Sequence, residues 1–261
     1  MILIQNILNQ YVNLFQKIFL IMKNKVVIIT GGAKRLGKSI AIDLAKNGFD
    51  IVINYLNSKD DAIKTQTEIN QIGKQCLTIC ADITKEKEIK KLISIVLKKF
   101  GKIDLLVNNA GIFQQKNIFE TTEKNWEKTF DINLKSAFLL SKEIGKVFIQ
   151  QKKGQIINIA SLGGIMVWKN YFSYSISKSA LIHLTKILAL ELSPFIQVNA
   201  IAPGIIIFNE QEKKLYKHLL NTIPQKKFAT PNDISSLVVY LSKFNHITGQ
   251  IIAVDGGKSL R

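Results

Sequence analysis

The sequence predicts an α/β fold, one doubly wound sheet of seven mainly parallel strands flanked by helices, and three observations carry that reading. From Lys25 onward, short apolar runs alternate with longer segments of helical periodicity, the pattern of parallel strands linked by helices. The 261 residues are 47% apolar, enough to bury one large core as a single domain. A glycine-rich turn, TGGAKRLG at 30–37, joins the first strand to the first helix, the Rossmann-type place for a turn that meets an anion.

Residues 1–22 precede this pattern. They are mostly apolar, but Gln5, Asn6, Asn9, Gln10, Asn13, Gln16 and Lys17 recur every three to four residues and make a polar stripe. An amphipathic helix fits better than a membrane span, which needs an unbroken apolar stretch of about 20 residues. A secretory signal lacks its basic start and its small-residue cleavage site. The alternative is that translation begins at Met22, since MKNKVVIITGG opens a domain naturally. The expected organisation is therefore an extension over 1–22 and one domain over 23–261.

Strands are expected at 26–30, 51–54, 75–79, 103–107, 155–159, 198–201 and 251–254. Helices are expected at 36–47, 59–72, 85–100, 123–151 with a break, 171–192, 210–221 and 231–243. In such a sheet, ligands bind outside the carboxyl ends of the strands.

Charge does not redirect the reading. The formal net charge is +17, yet only Arg35 and Arg261 of the 36 basic residues are arginine, and the lysines spread through helical segments. Arginine forks are the preferred readers of phosphates and base edges, so no specific nucleic-acid partner is expected. With abundant Ile and Asn, the lysine excess looks like the codon bias of an AT-rich genome. Cys76 and Cys80 share one strand face with Thr78 and read as buried thiols in a reducing cytoplasm. His183, His218 and His246 have no ligand spacing, so no metal is expected.

The chemistry-bearing residues fall at strand ends. The second strand runs out through Asn54 to Lys59 with no acid before Asp60, whereas an acid there would hold a free ribose 2′-hydroxyl. Lys34 and Arg35 add positive charge, Asn57 and Ser58 can donate to phosphate oxygens, and NADPH is expected over NADH. Asp82 can accept an adenine amino group or serve the following helix together with Thr84. Asn108 to Gly111 pack small and amide residues where a ring can lie flat against backbone, and Phe113 stands just beyond. Asn133 can break its helix by turning its amide toward backbone.

Ser161 ends the apolar run 156–160, and Tyr174 and Lys178 stand four residues apart on one helical face. A nearby ammonium can hold a phenol near ionisation and make it a proton donor or acceptor. Taken alone, the pair reads as a surface pair, and the rest of the chain must decide.

Taken together, Thr30-Gly31, Asp82, Asn108-Asn109-Ala110-Gly111, Asn133, Ser161, Tyr174, Lys178, Pro203-Gly204 and Asp255-Gly256-Gly257 resemble the short-chain dehydrogenase/reductase family over 23–261. The resemblance implies a catalytic tetrad of Asn133, Ser161, Tyr174 and Lys178. Tyr174 would transfer the proton, Lys178 would lower its pKa and hold the nicotinamide ribose, Ser161 would orient the substrate, and Asn133 would keep a water in the relay. The cofactor would lie along Gly31, Lys34, Arg35, Leu36, Gly37, Asn57, Ser58, Asp82, Ile83, Asn109, Ala110, Gly111, Tyr174, Lys178, Pro203 and Gly204.

Arg35 replaces the family's usual turn glycine, a variant similar to the pteridine reductases, where it would meet the NADPH 2′-phosphate. Phe113 falls where those enzymes sandwich the pterin, and IAPGIIIFNE with the DGGKSLR ending is similar to the dihydromonapterin reductases. This resemblance implies reduction of a dihydropterin C=N by NADPH, with Phe113, Ser161, Tyr174, Met166, Trp168 and Ile206 facing the pterin. Two departures stand out: Ser161 replaces the aspartate of the protozoan enzymes, and Ile205 follows Gly204 where many members have threonine. The alternatives are a 3-oxoacyl carrier-protein reductase or other carbonyl reductase of the family, and a non-catalytic NADPH sensor. A cytoplasmic homotetramer, built partly through the last strand, is implied as well.

Overall fold

The computed structural model describes residues 24–261; the expected amphipathic extension and the choice between Met1 and Met22 lie outside the described residues. The strands are β1 (Lys25–Thr30), β2 (Phe49–Tyr55), β3 (Cys76–Cys80), β4 (Leu105–Asn108), β5 (Gly154–Ile159), β6 (Ile196–Pro203) and β7 (Ile251–Val254). They form one sheet in the order β3-β2-β1-β4-β5-β6-β7, and every pairing is parallel. Strand order reverses between β1 and β4, which opens a crevice at their carboxyl ends.

The helices are α1 (Arg35–Lys46), α2 (Lys59–Gln71), α3 (Glu86–Phe100), α4 (Glu123–Phe130), α5 (Ser136–Gln151), α6 (Phe172–Glu191), α7 (Glu210–Tyr216) and α8 (Pro231–Leu241). Alternation along β1 divides the core. Val27 and Ile29 pack with Ile40 and Leu44 of α1 and Ile234 and Val238 of α8 on one face. Val26 and Ile28 pack with Leu92 and Val96 of α3 and Leu140 and Phe148 of α5 on the other. Each fully buried Leu, Ile or Phe side chain contributes roughly 1.5–3 kcal/mol, so both faces hold the sheet rigid beneath the crevice.

Boundaries shift for local reasons. β2 starts at Phe49 because Phe49 and Asp50 already pair with Lys25 and Val26. β4 starts at Leu105 rather than 103, because the Gln151 side chain takes both backbone groups of Ile103, donating to its carbonyl at 2.6 Å and accepting from its N–H at 3.2 Å. The expected break in 123–151 is a π-helical turn, Asp131–Lys135. Segment 210–221 ends as a 3₁₀ turn, Lys217–Thr222.

The cysteine reading is corrected in part. Cys76 is buried, and burial pushes its thiol up to about 12, but Cys80 at the carboxyl end of edge strand β3 is exposed. No helix among the described residues is long and apolar enough to cross a membrane.

Candidate active site

The crevice is stitched at its floor. The Thr30 hydroxyl accepts the backbone N–H of Asn109 and of Ala110, each at 3.0 Å. The Asn109 side-chain amide donates back to the carbonyls of Thr30 at 2.9 Å and Gly31 at 3.1 Å. The glycine turn is therefore bonded to the NNAG loop rather than merely near it. Gly31 has a φ of +60°, where a side chain is strained. A Cβ at Gly37 would run into the Gly31 carbonyl and stand 2.7 Å from the Asn109 amide nitrogen.

One step back, Asn108 donates to Asn158 at 2.8 Å, and Asn158 donates to the Thr185 hydroxyl at 2.9 Å. This buried chain ties β4 through β5 to α6. Asn133, on the π turn, brackets the next loop: its carbonyl accepts Ile112 N–H at 2.8 Å and its amide donates to Ile112 O at 3.0 Å. The same amide donates to the Ser177 hydroxyl at 3.0 Å, and Ser177 donates to the Tyr174 carbonyl at 2.7 Å. The side chain thus holds a neighbouring loop instead of its own helix.

Above this floor, a cavity of about 660 Å³ gathers Ser161, Tyr174 and Lys178 with Arg35, Leu36, Asn109, Gly111, Phe113, Trp168, Pro203, Gly204 and Ile206. Tyr174 is 9% exposed and Lys178 5%, so they are no surface pair. Phe113 is 57% exposed and stacks on Tyr171 at 4.9 Å while meeting the Tyr174 ring edge-on at 4.7 Å.

The expected electrostatics are corrected. Burial raises the Tyr174 phenol above its usual pKa, and hydrogen bonding with Ser161 only partly opposes this. Burial also lowers the Lys178 ammonium to about 8, and its Nζ donates to the Ile159 carbonyl at 2.8 Å. In this arrangement the phenol keeps its proton at neutral pH, as a group that donates one must.

The remaining expected residues lie elsewhere. Met166 is not on the cavity wall; Val167, Trp168 and Lys169 are. Lys34, Asn57, Ser58, Asp82 and Ile83 also lie outside it. Lys34 reaches Asp61 of α2 at 3.8 Å, which keeps it beside the start of that helix, with Ser58 at the cap position and Asn57 exposed. For Asp82, burial pushes the carboxyl up, but the Thr84 and Lys85 hydrogen bonds outweigh it and hold it below the usual range. Thr84 spends its hydroxyl on Asp82 at 2.7 Å, and Lys85 at the start of α3 makes no side-chain cap, so the expected capping is absent. Ile83 is a core side chain.

Arg35 is engaged by its own chain, stacking on Phe208 and pairing with Glu212. Phe208, Glu212 and Lys258 line the same cavity; the first and last fall in the IAPGIIIFNE and DGGKSLR stretches, but no local spacing sets any of the three beside Arg35, which they reach only through the fold.

Comparison with known proteins decides between the readings. The family model for enoyl-(acyl carrier protein) reductase matches residues 31–259. A 3-oxoacyl-[acyl-carrier-protein] reductase FabG of Staphylococcus epidermidis is 38% identical over 240 residues, covering 90% of this chain and 98% of its own length. A 3-oxoacyl-[acyl-carrier-protein] reductase of Synechocystis is 35% identical over 89% of this chain and 96% of its own. The crystal structure of acetoin dehydrogenase from Enterobacter cloacae superposes with a TM-score of 0.84 at 31% identity, covering 91% and 96% of the two chains.

These relatives overturn the pteridine-reductase reading, including dihydromonapterin as substrate. Two of the residues behind it have other structural partners: Arg35 is bound by Glu212 and Phe208, and Phe113 is packed on Tyr171 and Tyr174. On the extent of these matches and the shared seven-stranded architecture, the chain belongs to the short-chain dehydrogenase/reductase family of oxidoreductases.

Proposed function

We propose that this chain is an NADPH-dependent 3-oxoacyl-[acyl-carrier-protein] reductase, reducing the 3-keto group of an acyl thioester to a hydroxyl. The observation that carries the reading is Ser161, Tyr174 and Lys178 converging on one cavity in a chain 35–38% identical to reductases of that name.

A nicotinamide dinucleotide fits the residues present. Gly31 at a φ of +60° and the close packing of Gly37 on the Gly31 carbonyl make a tight turn into α1, and α1 carries no acidic residue in its first turn to repel a pyrophosphate. Gly31, Leu36 and Gly37 would hold the phosphates, Asp82 and Ile83 the adenine end, and Asn109, Ala110, Gly111, Pro203 and Gly204 the nicotinamide half. The absence of an acid between β2 and Asp60 supports NADPH over NADH, with Lys34, Asn57 and Ser58 as the groups that would meet a 2′-phosphate once Lys34 leaves Asp61, 3.8 Å away. When bound, the dinucleotide supplies the hydride.

This chain's own residues do the rest. Ser161 donates a hydrogen bond to the substrate carbonyl and orients it. Tyr174, neutral through burial, gives its proton to the carbonyl oxygen as charge develops there. Lys178 holds the ribose side of the site, and Asn133 keeps the Ile112-Phe113 loop against Tyr174. Phe113, Trp168 and Ile206 exclude water around the reacting carbonyl.

Exposed edge strand β7 supports the homotetramer implied by the family resemblance, since strand edges of this kind pair readily with another copy. Light scattering on the eluted protein measures it, and a monomer at micromolar concentration rejects it.

The direct test follows NADPH oxidation with acetoacetyl thioesters of acyl carrier protein and of coenzyme A. Turnover with the carrier-protein thioester supports the reading; absence of turnover with both overturns it.

A further inference from the structure

Two residues far apart in sequence meet at the rim of the cavity. Arg35, the first residue of α1, has a φ of +51° and lays its guanidinium over the Phe208 ring at 4.0 Å. Its Nη1 donates to Glu212 Oε1 at 2.9 Å, while Glu212 Oε2 accepts the Phe208 backbone N–H at 3.0 Å. A guanidinium and a backbone N–H thus grip one carboxylate, the donor set that proteins use for phosphates and carboxylates alike. Burial pushes the Glu212 carboxyl up, but these two bonds outweigh it and hold it below the usual range.

The position of this grip matters. Arg35 is the first residue of α1 and lines the cavity with Leu36, so the grip lies at the rim where the glycine turn enters that helix. Glu212 belongs to segment 205–222, which roofs the cavity and is anchored at its far end by Lys258 donating to the Thr222 hydroxyl at 2.7 Å. One anchor of the roof is therefore a carboxylate seated in an anion site next to the phosphate turn.

We propose that the Arg35 guanidinium and the Phe208 N–H form an anion site for the dinucleotide pyrophosphate, and that Glu212 is its built-in occupant, displaced when the dinucleotide binds. The inference rests on the dinucleotide reading above and adds a competition that reading does not contain. Displacement removes the Arg35 tie and leaves the roof held by the Ile206–Ala229 bridge and by Lys258, so dinucleotide entry loosens the path by which the acyl substrate reaches Tyr174.

The test is a double-mutant cycle read as dissociation constants for NADPH and for NADH, from quenching of tryptophan fluorescence, with folding of each variant checked by circular dichroism. Glu212→Gln removes the competing charge and tightens both dinucleotides by roughly two- to fivefold, the range of an exposed ion pair. Glu212→Ala, which also removes the amide oxygen, changes affinity in the same direction. In an Arg35→Ala background, Glu212→Gln has no effect. Equal tightening in that background marks a long-range charge effect and overturns the proposal. Tightening confined to NADPH assigns the site to the 2′-phosphate and also overturns it, as does unchanged or weaker binding. Dinucleotide binding without thioester reduction overturns the proposed activity alone, whereas a wild type that binds neither dinucleotide overturns both.

Discussion

Asn133 and Ser177 are joined by a 3.0 Å hydrogen bond that closes a ring through the site. Asn133 brackets Ile112, the adjoining Phe113 meets Tyr174 edge-on, and Ser177 bonds the Tyr174 carbonyl. Asn133→Ala leaves the Ile112 N–H and carbonyl and the Ser177 hydroxyl without that partner. It is expected to destabilise the fold by about 2–3 kcal/mol, measured by urea unfolding. A loss under about 0.5 kcal/mol would show that water replaces the amide at no cost.

Tyr174→Phe keeps the ring and removes the proton. Turnover is expected to fall by roughly 10²–10⁴-fold, with dinucleotide affinity within about threefold of wild type. Turnover near the wild-type value would move the acid to another group.

Lys178 carries a pH signature. Its folded value is lowered to about 8 from 10.5, so the unfolded chain binds more protons between those values. Stability contributed at this site is lowest below about 8 and rises as pH climbs toward 10.5. Lys178→Met removes the buried ammonium and its pH dependence with it. Relative to wild type, the variant gains on the order of 1–3 kcal/mol at neutral pH, offset by the orphaned Ile159 carbonyl, and that advantage shrinks as pH rises. Paired denaturation curves between neutral and alkaline pH read the difference; a gap that widens with pH contradicts the assignment.

Gly37→Ala places a methyl against the Gly31 carbonyl and the Asn109 amide. Overpacking of this kind costs about 1–3 kcal/mol. Because the displaced groups form the turn into α1, dinucleotide binding should weaken by more than the drop in melting temperature accounts for. Titration of the folded variant measures the excess.

Much of this molecule was legible in the sequence because the relevant signals are local. Apolar runs gave every strand, since the central strands, buried on both faces, need no alternation to be seen, and the partly exposed edge strands β3 and β7 are apolar runs as well. Tyr174 and Lys178 share a face through helical spacing alone, and Asn133 betrayed a break that proved to be a π turn. What stayed hidden depends on return of the chain. Glu212 lies 177 residues from Arg35, so no window of sequence pairs them, and the arginine alone pointed to a pterin. The direction of the Tyr174 and Lys178 shifts depends on burial, which spacing does not report. Met166 missed the cavity wall for the same reason that Val167 and Lys169 reached it: side-chain direction after a 3₁₀ turn, Leu162–Gly164, has no periodicity to read.

The bonds between Thr30 and the Asn109-Ala110 backbone have a mechanical consequence. They extend the β1–β4 pairing past the strand ends where the strand order reverses, so opening the crevice at its floor would break both. The floor of the crevice is a fixed seam, and the walls above it, 167–169 and 205–219, are the parts not bonded into that seam.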